Sequence, residues 1–252
     1  MQDLVLGIDV GATGMKGGLV DVENGEMVSE RFKILTPRPA TPAKMAAVIA
    51  EIVNHFNYTG IVGCGFPSII KNNVAYSAAN IDQSWIGTNV TETFSGITNC
   101  EMVVCNDADV AGMAEMRFGR GKNEKGLVMI ITIGTGLGSA LFIDGKLIPN
   151  TELGHLKFKD SIAEKYCAGS TRKKLDLSYE EWGARFNEYL IHIEHLFSPD
   201  LIILGGGTSK KFDLFSDRIT IKALVEPAMM RNNAGIIGAA VLAKKQNKEA
   251  LM

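Results

Sequence analysis

The sequence is poor in cysteine and aromatic residues and has no excess of positive charge. It has four cysteines, no C-x-x-C pair and 7% aromatic residues. This favours buried thiols in a reducing compartment over a disulfide framework. With 26 basic and 28 acidic residues the net charge is −2, which excludes the strongly basic field of many nucleic-acid-binding proteins, although a local basic groove stays open.

The N-terminus lacks a basic segment with a cleavage site, and no apolar run is long enough to span a membrane. We therefore expect a cytoplasmic protein that binds neither a membrane nor nucleic acid. Apolar residues make up 46% of the 252 residues, enough for a sizeable core of one or two domains. The 27 glycines exceed the usual share, and this excess predicts several tight backbone turns near ligands.

Apolar runs with the length of strands alternate with segments of helical periodicity, which predicts an α/β fold. Thr41 and Pro42 are typical of a helix start, and Ser178 with Glu181 forms a capping-box pattern. The predicted strands are Leu4–Ile8, Gly18–Val20, Ile61–Phe66, Met102–Cys105 and Leu201–Leu204. The predicted helices are Met45–Phe56, Ala108–Phe118, the segment after Ser178, and Gly235–Lys245.

An internal repeat appears when the chain is shifted on itself by 123 residues, so that Leu6–Asp21 aligns with Met129–Asp144. Both segments show an apolar strand, an Asp or Thr, a glycine-rich turn and a second apolar strand. The alignment pairs Ile8 with Ile131, Gly11 with Gly134, Val20 with Ile143, and Asp21 with Asp144. We expect two similar domains that each present one glycine hairpin to a shared cleft.

Each glycine-rich turn is a candidate phosphate site, because glycine lets backbone N–H groups point at an anion. The first turn, from Asp9 to Gly14, adds a carboxylate, a hydroxyl and the nearby Lys16, and the second adds Thr132 and Thr135. Either turn alone could equally close an ordinary hairpin. A strand rather than a helix follows each turn, so neither matches a Rossmann fingerprint, and no Walker A sequence is present.

Asp107 follows a strand and opens a helix, where a carboxylate can accept a proton from an attacking alcohol. Spacing alone favours helix capping at this position. Glu152 and His155, three residues apart on a loop, could bind vicinal hydroxyl groups, but a lone loop histidine or a zinc ligand stays open. Lys210 and Lys211 fit a solvated surface better than a site, unless they face a polyanionic donor.

The segments DVGATGMK, GFP, AAN, ND, TIGTGLGSA, ELGH and LGGGTSK, in this order, resemble the ROK sugar kinases of the actin-like ATPase superfamily. TPRPATP, AANIDQSWIG and RNNAGIIGAA are similar to the polyphosphate-using glucokinases within that family. The resemblance implies two ribonuclease-H-like α/β domains around a central cleft. It also implies that phosphate is transferred to the 6-hydroxyl of glucose, with magnesium as cofactor and polyphosphate or ATP, or both, as donor.

The same resemblance implies roles for individual residues. Asp107 corresponds to the general base, and Asp9 is placed to hold magnesium through water. The implied sugar contacts, besides Asp107, are Asn80, Asn106, Glu152 and His155. The implied donor contacts are Asp9, Gly11, Ala12, Thr13, Gly14, Lys16, Thr132, Thr135, Gly136, Gly206 and Lys210. The cysteine-rich zinc motif of many ROK kinases is missing here, so we expect no zinc site, and Ser68 stands where many relatives have glycine.

We predict an N-terminal domain over residues 1–105, with a C-terminal helix at 235–246 packed back on it, and a second domain over 106–234. We also expect a homodimer. An ATP-dependent kinase of mannose or of an N-acetylated amino sugar stays open as an alternative. A sugar-sensing regulator is disfavoured because only eight residues precede Asp9, too few for a helix-turn-helix module, and an actin-like filament subunit is disfavoured by Glu152 and His155.

Overall fold

The computed structural model describes residues 4–250, and the side chains through residue 245. The chain forms two compact units: the first runs to Ala114 and resumes at Asn233, and the second is Glu115–Asn232. The first break therefore falls at residue 114 inside a helix, whereas the sequence predicted it after residue 105. Residues 1–3 of the predicted N-terminal domain lie outside the described residues.

The sheet of the first unit has the strand order β3-β2-β1-β5-β8, with β4 paired to β2. Strand β1 is antiparallel to β2 and parallel to β5, and β5 is parallel to β8. A separate pair, β6 and β7, lies outside this sheet. The bounds are β1 Leu4–Val10, β2 Met15–Asp21, β3 Glu26–Met27, β4 Phe32–Ile34, β5 Val62–Phe66, β6 Ile70–Lys71, β7 Val74–Ala75 and β8 Met102–Asn106.

Helices α1 and α2 supply Met45, Ile49, Ile52 and Phe94 to the core of this unit, and helix α3 follows β8. The C-terminal helix, α7, packs against β1 and β5, as the sequence predicted for it. Close contact is possible because Gly7 and Gly63 are register partners that face this helix: a Cβ at either would overlap a backbone carbonyl of α7. The bounds are α1 Pro42–His55, α2 Val90–Thr98, α3 Asp107–Phe118 and α7 Ala234–Ala250.

The second unit repeats this design with the strand order β11-β10-β9-β14-β15, and strands β12 and β13 pair separately. Its long helix, α6, begins with the predicted Ser178–Glu181 capping box and buries Trp182 and Phe186 against Phe215. The strands are β9 Leu127–Ile133, β10 Leu137–Ile143, β11 Lys146–Ile148, β12 Lys157–Phe158, β13 Ser161–Ile162, β14 Leu201–Gly205 and β15 Leu224–Pro227. The helices are α4 Ala163–Cys167, α5 Gly169–Lys174 and α6 Tyr179–Phe197.

The internal repeat is present in the structure, but its alignment slips by one residue after the glycine turn. Strands β1 and β9 begin and end 123 residues apart, as predicted. The first turn has four residues, Gly11–Gly14, and the second has three, Gly134–Gly136. The structure therefore matches Val20 with Phe142 and Asp21 with Ile143, and the predicted pairings with Ile143 and Asp144 are wrong.

Two further local predictions change in detail. Asp9 was assigned to the turn but lies in β1, where it pairs with Lys16 of β2. Thr41 occupies the N-cap position of α1 and Pro42 the first helical position, as predicted, but the Thr41 side chain makes no capping hydrogen bond. Among the described residues, no helix is both long enough and apolar enough to cross a membrane.

Candidate active site

The polar groups predicted for the first unit lie where its parallel strands end. Strands β1, β5 and β8 run in the same direction, so their carboxyl ends share one edge of the sheet. Asp9 is next to last in β1, and Asn106 ends β8, directly before Asp107. In open α/β sheets this edge is the usual place for ligands.

The cap of helix α3 is Asn106 rather than Asp107. The Oδ1 atom of Asn106 accepts hydrogen bonds from the N–H groups of Ala108, at 2.8 Å, and Asp109, at 3.2 Å, the pattern of an N-cap side chain. The Asp107 carboxylate also accepts the Ala108 N–H at 2.8 Å, but Asp107 is itself the first residue of the helix. Capping by Asp107, which the spacing favoured, is therefore wrong.

Ser68 connects this strand end to a neighbouring loop. The Asn106 Nδ2 atom donates to the Ser68 carbonyl at 3.2 Å, and the buried Ser68 hydroxyl donates to the Ser77 carbonyl at 2.7 Å. A glycine at position 68 would lose this second contact. Asn80 follows on the same loop and is exposed.

The carbonyl groups of the first glycine turn accept hydrogen bonds from within the turn and from neighbouring residues. The Gly11 N–H donates to the Gly14 carbonyl at 3.1 Å, the Thr36 hydroxyl donates to the Gly11 carbonyl at 2.6 Å, and Arg38 donates to the Ala12 carbonyl at 3.0 Å. Within the described part of the chain, the N–H groups of Ala12, Thr13 and Gly14 donate to no other residue. They are thus available to an anion, as a phosphate-binding turn requires.

The charged residues around this turn include two that the sequence analysis missed. Asp9 Oδ2 and Lys16 Nζ form an ion pair at 2.8 Å. Lys33 pairs in register with Lys16, and its Nζ lies 3.5 Å from where a Cβ on Gly14 would be. Neither Lys33 nor Arg38 was assigned to the site from the sequence, because Lys33 lies in a strand of only three residues and the TPRPATP segment that contains Arg38 predicted a loop without assigned contacts.

The second glycine turn is held in the same way by different residues. The Gly134 N–H donates to the Gly136 carbonyl at 3.0 Å, and Ser170 holds the other two carbonyls: its N–H donates to Gly134 at 3.1 Å and its hydroxyl to Thr135 at 2.6 Å. Glu164 accepts the Leu137 N–H at 2.9 Å. These contacts place the backbone of α5 and an acid next to the turn.

The other residues predicted for the donor in this unit lie on adjoining elements. Thr132, in β9, pairs with Gly205 in β14. Gly206 has a φ of 78° and lies against the backbone of Ile133, where no side chain would fit. Lys210 is exposed on a 3-10 helix, Thr208–Leu214.

Glu152 and His155 lie together on a loop that is fixed to strand β10. Their Oε2 and Nδ1 atoms are 3.6 Å apart. The loop can approach because Gly154 faces the Leu137 carbonyl so closely that a Cβ would overlap it, and the Ser139 hydroxyl accepts the Leu153 N–H at 2.9 Å. Burial raises the pKa of Glu152, His155 lowers it, and Glu164 raises it further.

Asp9, the acid predicted from the sequence to hold magnesium, lies near the carboxyl end of β1. Its Oδ2 atom pairs with Lys16, and Oδ1 accepts no hydrogen bond from another described residue. The described residues contain no group of three or more histidine, cysteine or acidic side chains that could hold a metal by themselves. All four cysteines are free, and burial raises the pKa of the half-buried Cys105 thiol to about 12.

Comparisons with known proteins identify the class of protein. The ROK family profile matches residues 5–175, and the chain belongs to the ROK family. It is 46% identical to the polyphosphate glucokinase of Mycobacterium tuberculosis (strain CDC 1551 / Oshkosh) over 93% of this chain and 89% of that protein.

Two solved structures agree with this family and its fold. The crystal structure of an inorganic polyphosphate/ATP-glucomannokinase from Arthrobacter sp. strain KM superposes with a TM-score of 0.94 at 42% identity, covering 96% of this chain and 99% of that one. A ROK family glucokinase from Streptomyces griseus, in complex with glucose and AMPPNP, gives a TM-score of 0.83 at 25% identity, with coverage of 96% and 99%. The predicted family and the predicted α/β fold of actin-like sugar kinases are therefore confirmed.

Proposed function

We propose that this chain is a hexose kinase that transfers a phosphoryl group from polyphosphate or ATP to the 6-hydroxyl of glucose. The observation that carries the proposal is Asp107: its carboxylate stands at the carboxyl end of β8, while Asn106 caps the helix. Support for the substrates comes from the 46% identical relative, which is a polyphosphate glucokinase, and from the similar polyphosphate/ATP-glucomannokinase.

In the proposed reaction Asp107 is the general base. Its carboxylate accepts the proton of the 6-hydroxyl while that oxygen attacks the terminal phosphorus of the donor. The new oxygen–phosphorus bond forms as the bond between that phosphorus and the bridging oxygen of the donor breaks. The products are glucose 6-phosphate and either ADP or a polyphosphate shortened by one unit, with the proton on Asp107.

The remaining site residues bind and orient in this proposal. Glu152, as a carboxylate, accepts hydrogen bonds from sugar hydroxyl groups, His155 accepts or donates a hydrogen bond through a ring nitrogen, and Asn80 is a further sugar contact. Asn106 already uses Oδ1 twice in capping, so its contribution is mainly to fix the position of Asp107. The glycine turns at Gly11–Gly14 and Gly134–Gly136, with Lys16, Thr132, Thr135, Gly206 and Lys210, serve the donor.

A magnesium ion fits this residue set as a cofactor shared with the donor. Asp9 offers one carboxylate oxygen that accepts no hydrogen bond from another described residue, and magnesium in phosphoryl-transfer sites commonly uses one or two carboxylates with phosphate oxygens and water. When bound, the ion would neutralise charge on the transferring phosphate. The homodimer and the cytoplasmic location remain predictions.

Mannose is the second candidate substrate, because the similar Arthrobacter structure is a glucomannokinase. Glucose and mannose differ only in configuration at carbon 2. A site that binds the other hydroxyl groups through Glu152 and His155 could accept both sugars.

The direct test supplies one purified sample with glucose or mannose and with ATP or long-chain polyphosphate. We expect glucose 6-phosphate to form with at least one donor. Removal of magnesium with EDTA should stop the reaction. Absence of sugar phosphate with every combination in the presence of magnesium would contradict the proposal. Turnover of mannose alone would replace glucose by the second candidate.

A further inference from the structure

Three cations with no role assigned from the sequence lie beside the first glycine turn. Lys33, Arg38 and Lys44 are all exposed and lie on β4, on the loop after it and at the start of α1. We call these three residues the basic rim. None of them forms an ion pair with a carboxylate among the described residues, unlike Lys16, which pairs with Asp9.

The basic rim is attached to the turn by specific contacts. Arg38 donates through Nη2 to the Ala12 carbonyl at 3.0 Å. The aliphatic part of Lys33 crosses Gly14, with its Cε only 2.5 Å from where a Cβ would stand, so a side chain at position 14 would displace it. Lys44 Nζ donates to the Arg38 carbonyl at 3.3 Å, which brings the third cation to the same loop.

This arrangement has the chemistry of a site for a linear polyanion. The N–H groups of the turn can bind one phosphate, and exposed cations without an acidic partner among the described residues lie beside it in the same unit. ATP has only three phosphates, and its base binds in a pocket rather than along a row of charges. A longer phosphate chain carries negative charge on every unit and gains from each added cation.

We propose that the basic rim binds the part of a polyphosphate chain that extends beyond the first glycine turn. The inference rests on the proposed function, because it concerns the donor of that reaction. It assigns the polyphosphate preference to the first unit, whereas Lys210 and Lys211, the residues considered from the sequence, lie in the second unit.

The test compares donors in a double variant, Lys33→Gln with Arg38→Gln. We expect the KM for long-chain polyphosphate to rise about fivefold, the scale of two solvent-exposed charge contacts, and the KM for ATP to change by less than about twofold. Added salt should weaken polyphosphate use more in the wild type than in this variant, because screening acts on exposed charges. Tripolyphosphate should be affected less than the long chain.

Controls separate a local site from a general loss of charge. Lys125→Gln with Lys146→Gln removes the same charge from exposed positions of the second unit and should change neither KM. Lys33→Gln with Lys44→Gln leaves the Arg38 contact to the turn intact and should still raise the polyphosphate KM. Lys33→Arg keeps the positive charge, so the polyphosphate KM of this variant should stay near the wild-type value.

Three results with the variants would overturn the inference while leaving the hexose kinase in place. These are an unchanged ratio of the two KM values in the Lys33 and Arg38 variant, an equal change in the Lys125 and Lys146 control, or a selective loss only in a Lys210→Gln with Lys211→Gln variant. A wild type that uses ATP but not polyphosphate would overturn it as well. A wild type that phosphorylates sugar with neither donor would instead contradict the proposed function.

Discussion

Asp9 in β1 and Thr132 in β9 occupy the same position in two sheets of the same strand order. Asp9 pairs in register with Gly65 of the next parallel strand, and Thr132 pairs with Gly205. Two residue pairs further back the units differ again, because Gly7 and Gly63 face helix α7 in the first unit where Ile130 and Ile203 stand in the second. Strand order is thus preserved while chemistry and packing diverge.

The two glycine turns differ in the charged and polar side chains that surround them. The first turn has Asp9, Lys16 and the basic rim nearby, and the second has hydroxyl groups and Glu164. In both turns neighbouring residues hold the carbonyl groups and leave N–H groups without a partner among the described residues. Phosphate binding by backbone therefore explains what the turns share, and the side chains explain how they differ.

The largest difference should be found at the edge strands. Strand β8 is followed by Asp107, while the matching strand of the second unit, β15, is followed by Ala228. Asp107→Asn removes the proton acceptor and should lower kcat by ~10²–10⁴-fold, with the glucose KM nearly unchanged. Steady-state kinetics measure both constants. The control is Glu226→Gln, which alters an acid of β15 and should keep kcat near normal. A near-normal kcat in Asp107→Asn would show that the assignment of the general base is wrong.

The packing difference should appear in stability. Gly63→Ala pushes a Cβ into the Ala239 carbonyl of α7 and should lower the free energy of unfolding by about 3 kcal/mol, the upper part of the range for overpacking. Ile203→Val at the matching position of the second sheet should cost only about 1 kcal/mol. Denaturant unfolding of the two variants makes the comparison. Equal losses of unfolding free energy would show that the two sheets tolerate a change in side-chain volume equally, which would contradict the packing difference.

Much of this fold follows from local sequence signals. The start of β1 at Leu4, the Ser178 capping box and the C-terminal helix on the first sheet agree with the sequence prediction, whereas β1 continues to Val10, past its predicted end at Ile8. The one-residue slip after the turn was missed, because apolar residues occupy both registers and only backbone pairing distinguishes them.

The site was less accessible to sequence reasoning than the fold. The motifs located Asp107, but they did not show that Asn106 is the cap, since both residue types cap helices well and only hydrogen bonds decide between them. Lys33 and Arg38 were missed for a different reason. Their place beside the turn depends on the pairing of β4 with β2 and on the path of a proline-rich loop, which residue spacing does not specify.

The two turns offer a matched pair of hydroxyl tethers. Thr36 is 7% exposed and holds the Gly11 carbonyl, whereas Ser170 is exposed and holds the Thr135 carbonyl. Thr36→Val should cost about 1–3 kcal/mol, because it removes a buried hydroxyl donor from the partly buried Gly11 carbonyl, and Ser170→Ala should cost less than about 1 kcal/mol, because water can replace the exposed hydroxyl. Thermal unfolding tests this, and a larger loss for Ser170→Ala would reverse the comparison.

The smallest expected effect concerns the acids of the two units. Asp9 has Lys16 as a partner at 2.8 Å, whereas Glu152 lies 3.6 Å from His155, and burial raises the pKa of Glu152 above the ordinary 4.5. If the Glu152 carboxylate accepts hydrogen bonds from sugar, the glucose KM should rise a few-fold as the pH falls through that raised pKa. The measurement is the glucose KM between about pH 7 and about pH 5, compared with Glu152→Gln.

The sign of the accompanying stability change distinguishes binding from folding. Because the folded-state pKa of Glu152 is above its unfolded value, the folded state binds the proton more tightly, so this group stabilises the fold at low pH and loses that contribution as the pH rises through the raised pKa. Glu152→Gln should therefore leave stability at neutral pH unchanged or slightly higher while weakening glucose binding and flattening its pH dependence. A variant that loses stability at neutral pH but keeps the wild-type pH dependence of KM would show that Glu152 supports the loop and does not bind the sugar.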